Sequence, residues 1–151
     1  MGVGYDLHCD NCGYKLEAYF GVGMFFSQTY EETLTKAREG KLGRRAKKFL
    51  REHPDGAIDC SLILAQCIYC GQYETVSDLT MYLPKKNAPA DILPWELRKY
   101  CKAFAAYPHT CKHCGGDMKL ISERTFVRRM SNLKCPKCHR KFDEPGIIMW
   151  D

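Results

Sequence analysis

Four Cys-x-x-Cys pairs carry the chemistry legible in this chain: Cys9-Asp10-Asn11-Cys12, Cys67-Ile68-Tyr69-Cys70, Cys111-Lys112-His113-Cys114 and Cys135-Pro136-Lys137-Cys138. Two residues between cysteines let one tight turn aim both sulfurs at a single ion. Twenty residues separate the third pair from the fourth, the spacing of a four-cysteine zinc site. Four thiolates fill a tetrahedral shell and leave no position for substrate or activated water. Two structural Zn2+ ions held by the eight cysteines are therefore expected, and enzymatic activity is not. Iron accepts the same tetrahedral thiolates, so ligand type alone does not choose between the metals. A single Cys-x-x-Cys can also work as a thioredoxin-like redox pair, but four at compatible separations favour metal.

Three of the turns carry glycine directly after the second cysteine, at Gly13, Gly71 and Gly115, and the fourth carries His139. Wrapping backbone around an ion turns N–H groups toward the sulfurs and asks for positive φ at that residue. Glycine adopts it without steric cost, whereas histidine is a less comfortable occupant. Pairing by adjacency, first turn with second and third with fourth, is expected because it closes the shorter loops, of 54 and 20 residues. His8, His113 and His139 lie beside ligands, but eight cysteines complete two sites without them. Cys60 and Cys101 sit in apolar patterns and read as small core residues rather than nucleophiles.

Several elements must position these turns. Residues 14–20 alternate apolar and polar as a strand does. Gly21-Val22-Gly23 then bends the chain; the third glycine and βαβ context of a dinucleotide loop are missing. Thr29 and Glu32 read as a capping box opening a helix that Gly40 ends. A second helix places Leu42, Ala46, Phe49 and Leu50 on one side. Residues 57–67 and 73–83 read as strands flanking the second cysteine turn. Pro84 and Pro89 bracket a short polar run, the clearest boundary. Beyond it Leu93, Leu97, Tyr100, Cys101 and Phe104 recur at helical spacing. Residues 117–130 read as a hairpin with arms 118–121 and 125–130 and its tip at Ser122-Glu123-Arg124. The apolar tail 147–150 is expected to pack back on a domain.

The chain has 151 residues and a formal charge of +5, unevenly spread. Residues 28–52 carry net +4 and residues 107–142 net +7. Basic segments attract nucleic acid or an acidic protein surface. They also serve as a solvated face that keeps a protein soluble. The candidate nucleic-acid contacts are Arg124, Phe126, Arg128, Arg129, Lys134, Lys137, Arg140 and Lys141, in which an aromatic between cations could stack on a base. Phe142 lies in the same stretch, and hairpin packing is the competing role for both rings. The first residues lack the basic and continuous apolar regions of a signal peptide, and no apolar run reaches bilayer length. A reduced, cytoplasmic, metal-loaded protein is expected, with neither a membrane partner nor a small-molecule substrate.

The Cys-x-x-Cys-Gly turns resemble those of zinc ribbons, and Tyr5 with Cys9-Asp10-Asn11-Cys12-Gly13-Tyr14 is similar to the first half-site of rubredoxins. The chain as a whole resembles small uncharacterised bacterial zinc-ribbon proteins, a likeness that implies no established activity. The expected fold is α+β, two zinc-ribbon modules joined by a linker helix; the 54 residues between Cys12 and Cys67 exceed a minimal ribbon, so the first module departs from the pattern by carrying a two-helix insertion. The expected boundaries are 1–84, 85–106 and 107–151. The expected function is a binding or adaptor role; the alternative is rubredoxin-like electron transfer by iron. Transcript-cleavage ribbons carry an acidic pair at the hairpin tip. Glu123 is followed here by Arg124, so that activity is not expected.

Overall fold

The structure is a computed structural model that describes residues 2–150. It is mixed α+β. In chain order the elements begin with β1 (Gly2–His8), β2 (Lys15–Phe20), α1 (Phe26–Glu39), α2 (Gly43–Glu52) and β3 (Ala57–Ile58). Then come β4 (Leu62–Cys67), β5 (Tyr73–Ser77), β6 (Met81–Pro84), α3 (Leu97–Tyr100) and β7 (Cys101–Ala105). The chain finishes with β8 (Met118–Ile121), α4 (Glu123–Arg129) and β9 (Gly146–Trp150). Two units emerge: Met1–Gly21, Leu62–Val76 and Pro108–Asp151 form one, and Val22–Ser61 with Ser77–Tyr107 form the other. The linear boundaries expected from the prolines do not coincide with these units. Pro84 ends β6 inside the second unit, where Lys85 donates its N–H to Tyr100.

The first unit contains the sheets β2-β1-β9 and β5-β4-β8. Alternation sorts the faces of β1 and β2: Tyr5, Leu7, Leu16, Ala18 and Phe20 are buried, whereas Asp6, Lys15 and Glu17 are exposed. Antiparallel register sets Tyr5 opposite Ala18 and Leu7 opposite Leu16. As the tail pattern implied, β9 returns to pair with β1, Val3 opposite Met149. Gly2 on β1 makes room for this return, and Gly4 for the Tyr19 ring of the other neighbour, β2. A Cβ at Gly2 would fall 2.2 Å from the Trp150 ring, and one at Gly4 would fall 2.9 Å from Tyr19.

The expected hairpin at 117–130 is corrected. Its first arm is β8, but residues 123–129 form α4. Ser122 is the reason: its Oγ accepts the Thr125 N–H at 3.3 Å, satisfying an amide that a helix start would leave orphaned. Helical spacing then turns Phe126 into the core and leaves Arg124 and Arg128 outside. Phe126 is 0% exposed, its ring centroid 5.1 Å from that of Tyr5 and 5.3 Å from that of Phe20.

In the second unit, α1 and α2 pack through Leu34, Ala37, Ala46, Phe49 and Leu50 against Ile58 and Met81. Gly40 ends α1 at φ 85°, and the N–H of Lys41 reaches back to Lys36. Helix α1 starts earlier than the capping box implied: the Thr29 N–H already bonds the Phe25 carbonyl, so Thr29 lies inside the first turn, and the hydroxyls of Thr29 and Thr33 donate to the carbonyls four residues back in place of capping. The linker helix shrinks to a 3-10 turn at Pro94–Glu96 and the single turn α3. Residues 101–105 instead pair with β6, Leu83 opposite Lys102, completing the sheet β3-β6-β7. The two long strands expected around the second cysteine turn are each interrupted by an Asx turn. Asp59 Oδ1 accepts the Ser61 N–H and Asp78 Oδ1 the Thr80 N–H. Both carboxylates are buried, and burial raises the pKa of Asp59.

Candidate metal centres

The eight cysteines form two quartets, but not the expected ones. Cys9 and Cys12 meet Cys135 and Cys138, while Cys67 and Cys70 meet Cys111 and Cys114. The pairing is nested, first turn with fourth and second with third. Sheet register imposes it. Cys67 lies opposite Met118 in the β4–β8 pair, which draws the third turn to the second. Beside β1, the Asp143 N–H donates to the His8 carbonyl and the Asp10 N–H to an Asp143 carboxylate oxygen, both near 3 Å, which latches the fourth turn to the first.

Within each quartet the four sulfurs lie within 4.8 Å of one another. Facing pairs are closer: Cys9 to Cys138 and Cys12 to Cys135 are 3.5 Å apart, Cys67 to Cys114 3.4 Å, and Cys70 to Cys111 3.6 Å. Four sulfurs at about 2.3 Å from a central zinc stand about 3.8 Å from each other. The quartets are therefore of a size to hold such an ion, and the separations are well beyond a disulfide bond.

All four turns share one backbone design. The fifth residue donates its N–H to the carbonyl of the first cysteine: Gly13 to Cys9 (2.7 Å), Gly71 to Cys67 (3.1 Å), Gly115 to Cys111 (2.8 Å) and His139 to Cys135 (2.9 Å). The first cysteine's own N–H donates to the sixth residue, Tyr14, Gln72, Gly116 or Arg140. The left-handed conformation expected at the fifth residue is present in every case, with φ of 72°, 74°, 73° and, at His139, 62°. A Cβ at Gly13, Gly71 or Gly115 would meet no atom within 4 Å, so the requirement there is conformational and not spatial. His139→Gly should therefore stabilise the fourth turn by about 1 kcal/mol, and Gly13→Ala should weaken the first by about as much. Thermal melts of the metal-loaded protein check both signs; equal melts for His139→Gly and wild type would leave the strain argument without effect.

The thiols are electrostatically unequal. The Cys70 N–H above all, with the Tyr69 N–H and the Cys114 and Cys70 thiols, draws Cys67 down to about 6 against the desolvation that opposes it. The Arg140 N–H does the same for Cys138, also to about 6. At Cys12 the Tyr14 N–H pulls down, but desolvation and the sulfurs of Cys135, Cys138 and Cys9 outweigh it and push the thiol up to about 12. Cys70 is pushed to about 12 in the same way, against the Gln72 N–H, and desolvation raises Cys9. Crowded sulfurs share a negative charge poorly without a cation among them. Loading both quartets at pH 7 should thus expel at least three protons, from Cys9, Cys12 and Cys70. Affinity should rise with pH by about one log unit per unit for each proton displaced, and fall more steeply below about pH 6 as Cys67 and Cys138 protonate as well. Competition with a chromophoric chelator at pH 5.5, 6.5 and 7.5 measures this; a flat profile would contradict thiolate ligation.

Exposure separates the two centres. Cys9 and Cys135 are buried with Cys12 and Cys138 half-buried, whereas Cys114 is exposed. Tyr69 shields part of the Cys67/Cys70/Cys111/Cys114 centre, its ring so close that a Cβ on Gly116 would lie 2.3 Å from it. Lys112 pairs with Glu74 at the same turn. His8, His113 and His139 belong to neither quartet; His8 Nδ1 lies 2.9 Å from Asp10 Oδ1. Cys60 and Cys101 are buried in the second unit, as core residues.

Among the candidate nucleic-acid contacts, Arg124, Arg128, Arg129, Lys134, Lys137, Arg140 and Lys141 are exposed. Phe126 is corrected: it lies in the core and offers no face to a base. Phe142 is likewise buried, against Tyr14. The latch through Asp143 was missed from sequence, where an acidic residue after a basic run gives no sign of a partner 133 residues away. No helix among the described residues is long and apolar enough to cross a membrane. No protein-family model, curated protein or solved structure matches the chain.

Proposed function

We propose that this is a zinc-stabilised binding protein, an adaptor that docks nucleic acid or an acidic protein surface on the basic face of its metal-bearing unit. One observation carries the reading. Seven exposed cations crowd residues 124–141, and none of them joins an ion pair among the described residues. Lys141 donates only to a neutral acceptor, the Asn132 amide oxygen at 2.9 Å, and keeps its charge uncompensated. Unneutralised cations on a framework clipped by two ions are suited to phosphates. Both metal shells are closed by protein sulfur, which supports a structural role for zinc and a non-catalytic protein. With Phe126 and Phe142 buried, contact would be to backbone phosphate and not through stacking.

The test uses the whole zinc-loaded chain, since the fourth turn shares its ion with the first. Fluorescence anisotropy on single- and double-stranded oligonucleotides should show affinity falling with salt. The log–log slope is about −0.7 per phosphate contact on single strands and about −0.9 on duplex. Arg128→Ala with Arg129→Ala should flatten it by about 1.4 to 1.8. No binding at low salt would remove nucleic acid and leave an acidic protein as the ligand class. Metal analysis of the same sample decides the ion: stoichiometric zinc in colourless protein supports the proposal, and red, redox-active protein sinks it in favour of iron.

A further inference from the structure

The second unit holds a cavity of about 330 Å3 between the first turns of α1, strand β3 and residues 90–93. Its wall is apolar and aromatic, from Phe26, Tyr30, Ala57 and Ile92, and its rim carries three carboxylates, Glu31, Asp55 and Asp91. No lysine, arginine or histidine lines it, although the chain is +5 and residues 28–52 alone are +4. None of the three carboxylates joins an ion pair among the described residues.

The apolar surface continues beyond the cavity. Met24 is 68% exposed, Phe25 71% and Trp95 55%, and the Trp95 ring meets Phe26 edge-on at 5.0 Å. Concentrated exposure of large apolar side chains beside a pocket is the mark of an interaction surface. The acidic rim decides the kind of partner. It repels phosphate, which excludes the polyanion read for the other unit, and it attracts ammonium or guanidinium groups.

We propose that this surface docks a short segment of a partner protein in which an aliphatic or aromatic anchor is flanked by lysine or arginine. The anchor enters between Phe26, Tyr30 and Ile92. Flanking cations meet Glu31, Asp55 and Asp91, and a guanidinium can lie over the exposed indole of Trp95. The site is independent of the basic face, so either can fail alone.

The test uses the full zinc-loaded chain, 15N-labelled, and three fluorescein-labelled dodecapeptides. The first has one central tryptophan between lysines and arginines, the second replaces every cation by glutamate, and the third replaces tryptophan by glycine. The first should bind and shift the amide resonances of Phe26, Tyr30, Ala57 and Ile92. Glu31→Gln, Asp55→Asn and Asp91→Asn should each weaken it up to about fivefold, as exposed ion pairs do. These three are surface positions, and unchanged circular dichroism and zinc content establish that the fold is kept. The second and third peptides should bind at least tenfold more weakly. Failure of the first peptide to bind, equal binding of the acidic one, or indifference to all three variants overturns the proposal. Concentration-dependent self-association that shifts the same resonances without peptide also overturns it, by naming a second copy as the occupant.

Discussion

Cys135→Ser will release both ends of the chain together. Cys135 completes a quartet with Cys9, Cys12 and Cys138, so its loss removes a ligand that the N-terminal hairpin also needs. The affinity of that centre should fall by well over 100-fold, beyond what outer-shell changes around a metal produce. The content of bound metal should drop from two ions per chain toward one. Hydrogen exchange should accelerate first and most in β1, β2 and β9, while the paired strands β4 and β8, beside the intact Cys67/Cys70/Cys111/Cys114 centre, follow later. Adjacent pairing demands the opposite, a loosened segment 107–150 with β1 and β2 as protected as before. That outcome would refute the nested arrangement.

Chelation should unfold one unit and spare the other. A structural zinc in a small module contributes about 10–16 kcal/mol of apparent binding free energy, and a whole domain is net stable by only about 5–15 kcal/mol. Stripping two ions therefore exceeds what the first unit's apolar core can retain. The second unit takes no ligand from residues 22–61 or 77–107 and has its own clusters around Phe49, Ile58, Met81, Tyr82 and Leu97. It also holds α1 and α2, of 14 and 10 residues, which are most of the helix in the chain. Addition of a strong chelator should abolish amide protection in β1, β4, β8 and β9 while most of the ellipticity at 222 nm persists. Complete loss of that signal in step with zinc release would show a single cooperative fold and sink the prediction.

The ligands themselves could be read without coordinates because a metal turn is local. Six consecutive residues contain the sulfurs, the N–H donors and the positive-φ position, and even the uncomfortable His139 falls where the spacing requires. Pairing is not local. By the logarithm of loop length, the nested and adjacent arrangements differ by only about 1 kcal/mol, less than one strand pairing decides. The ladders β1–β9 and β4–β8 made the choice, and neither can be seen from the cysteines. Residues 123–129 misled for a related reason: Thr125, Phe126 and Val127 favour strand in isolation, and the hydroxyl of Ser122 tips the segment to helix. Residues 97–105 show the converse. Their apolar spacing suits a helix, yet Leu97 and Cys101 are buried while Phe104 is about half exposed at 51%, because β6 recruits the second half as a strand.

Nesting also orders events on the ribosome. At about 5–20 residues per second, the 125 residues lying between Cys12 and Cys138 take roughly 6–25 s to synthesise. Throughout that interval Cys9 and Cys12 exist as thiols without their ion partners, whereas the Cys67, Cys70, Cys111 and Cys114 set is complete sooner. The more exposed quartet, inner in sequence, is thus complete while the chain is still growing, and the buried one closes last. A message cut short between Cys114 and Cys135 yields a product with one complete quartet and an N-terminal hairpin bearing two idle sulfurs, open to oxidation and to the cell's quality control.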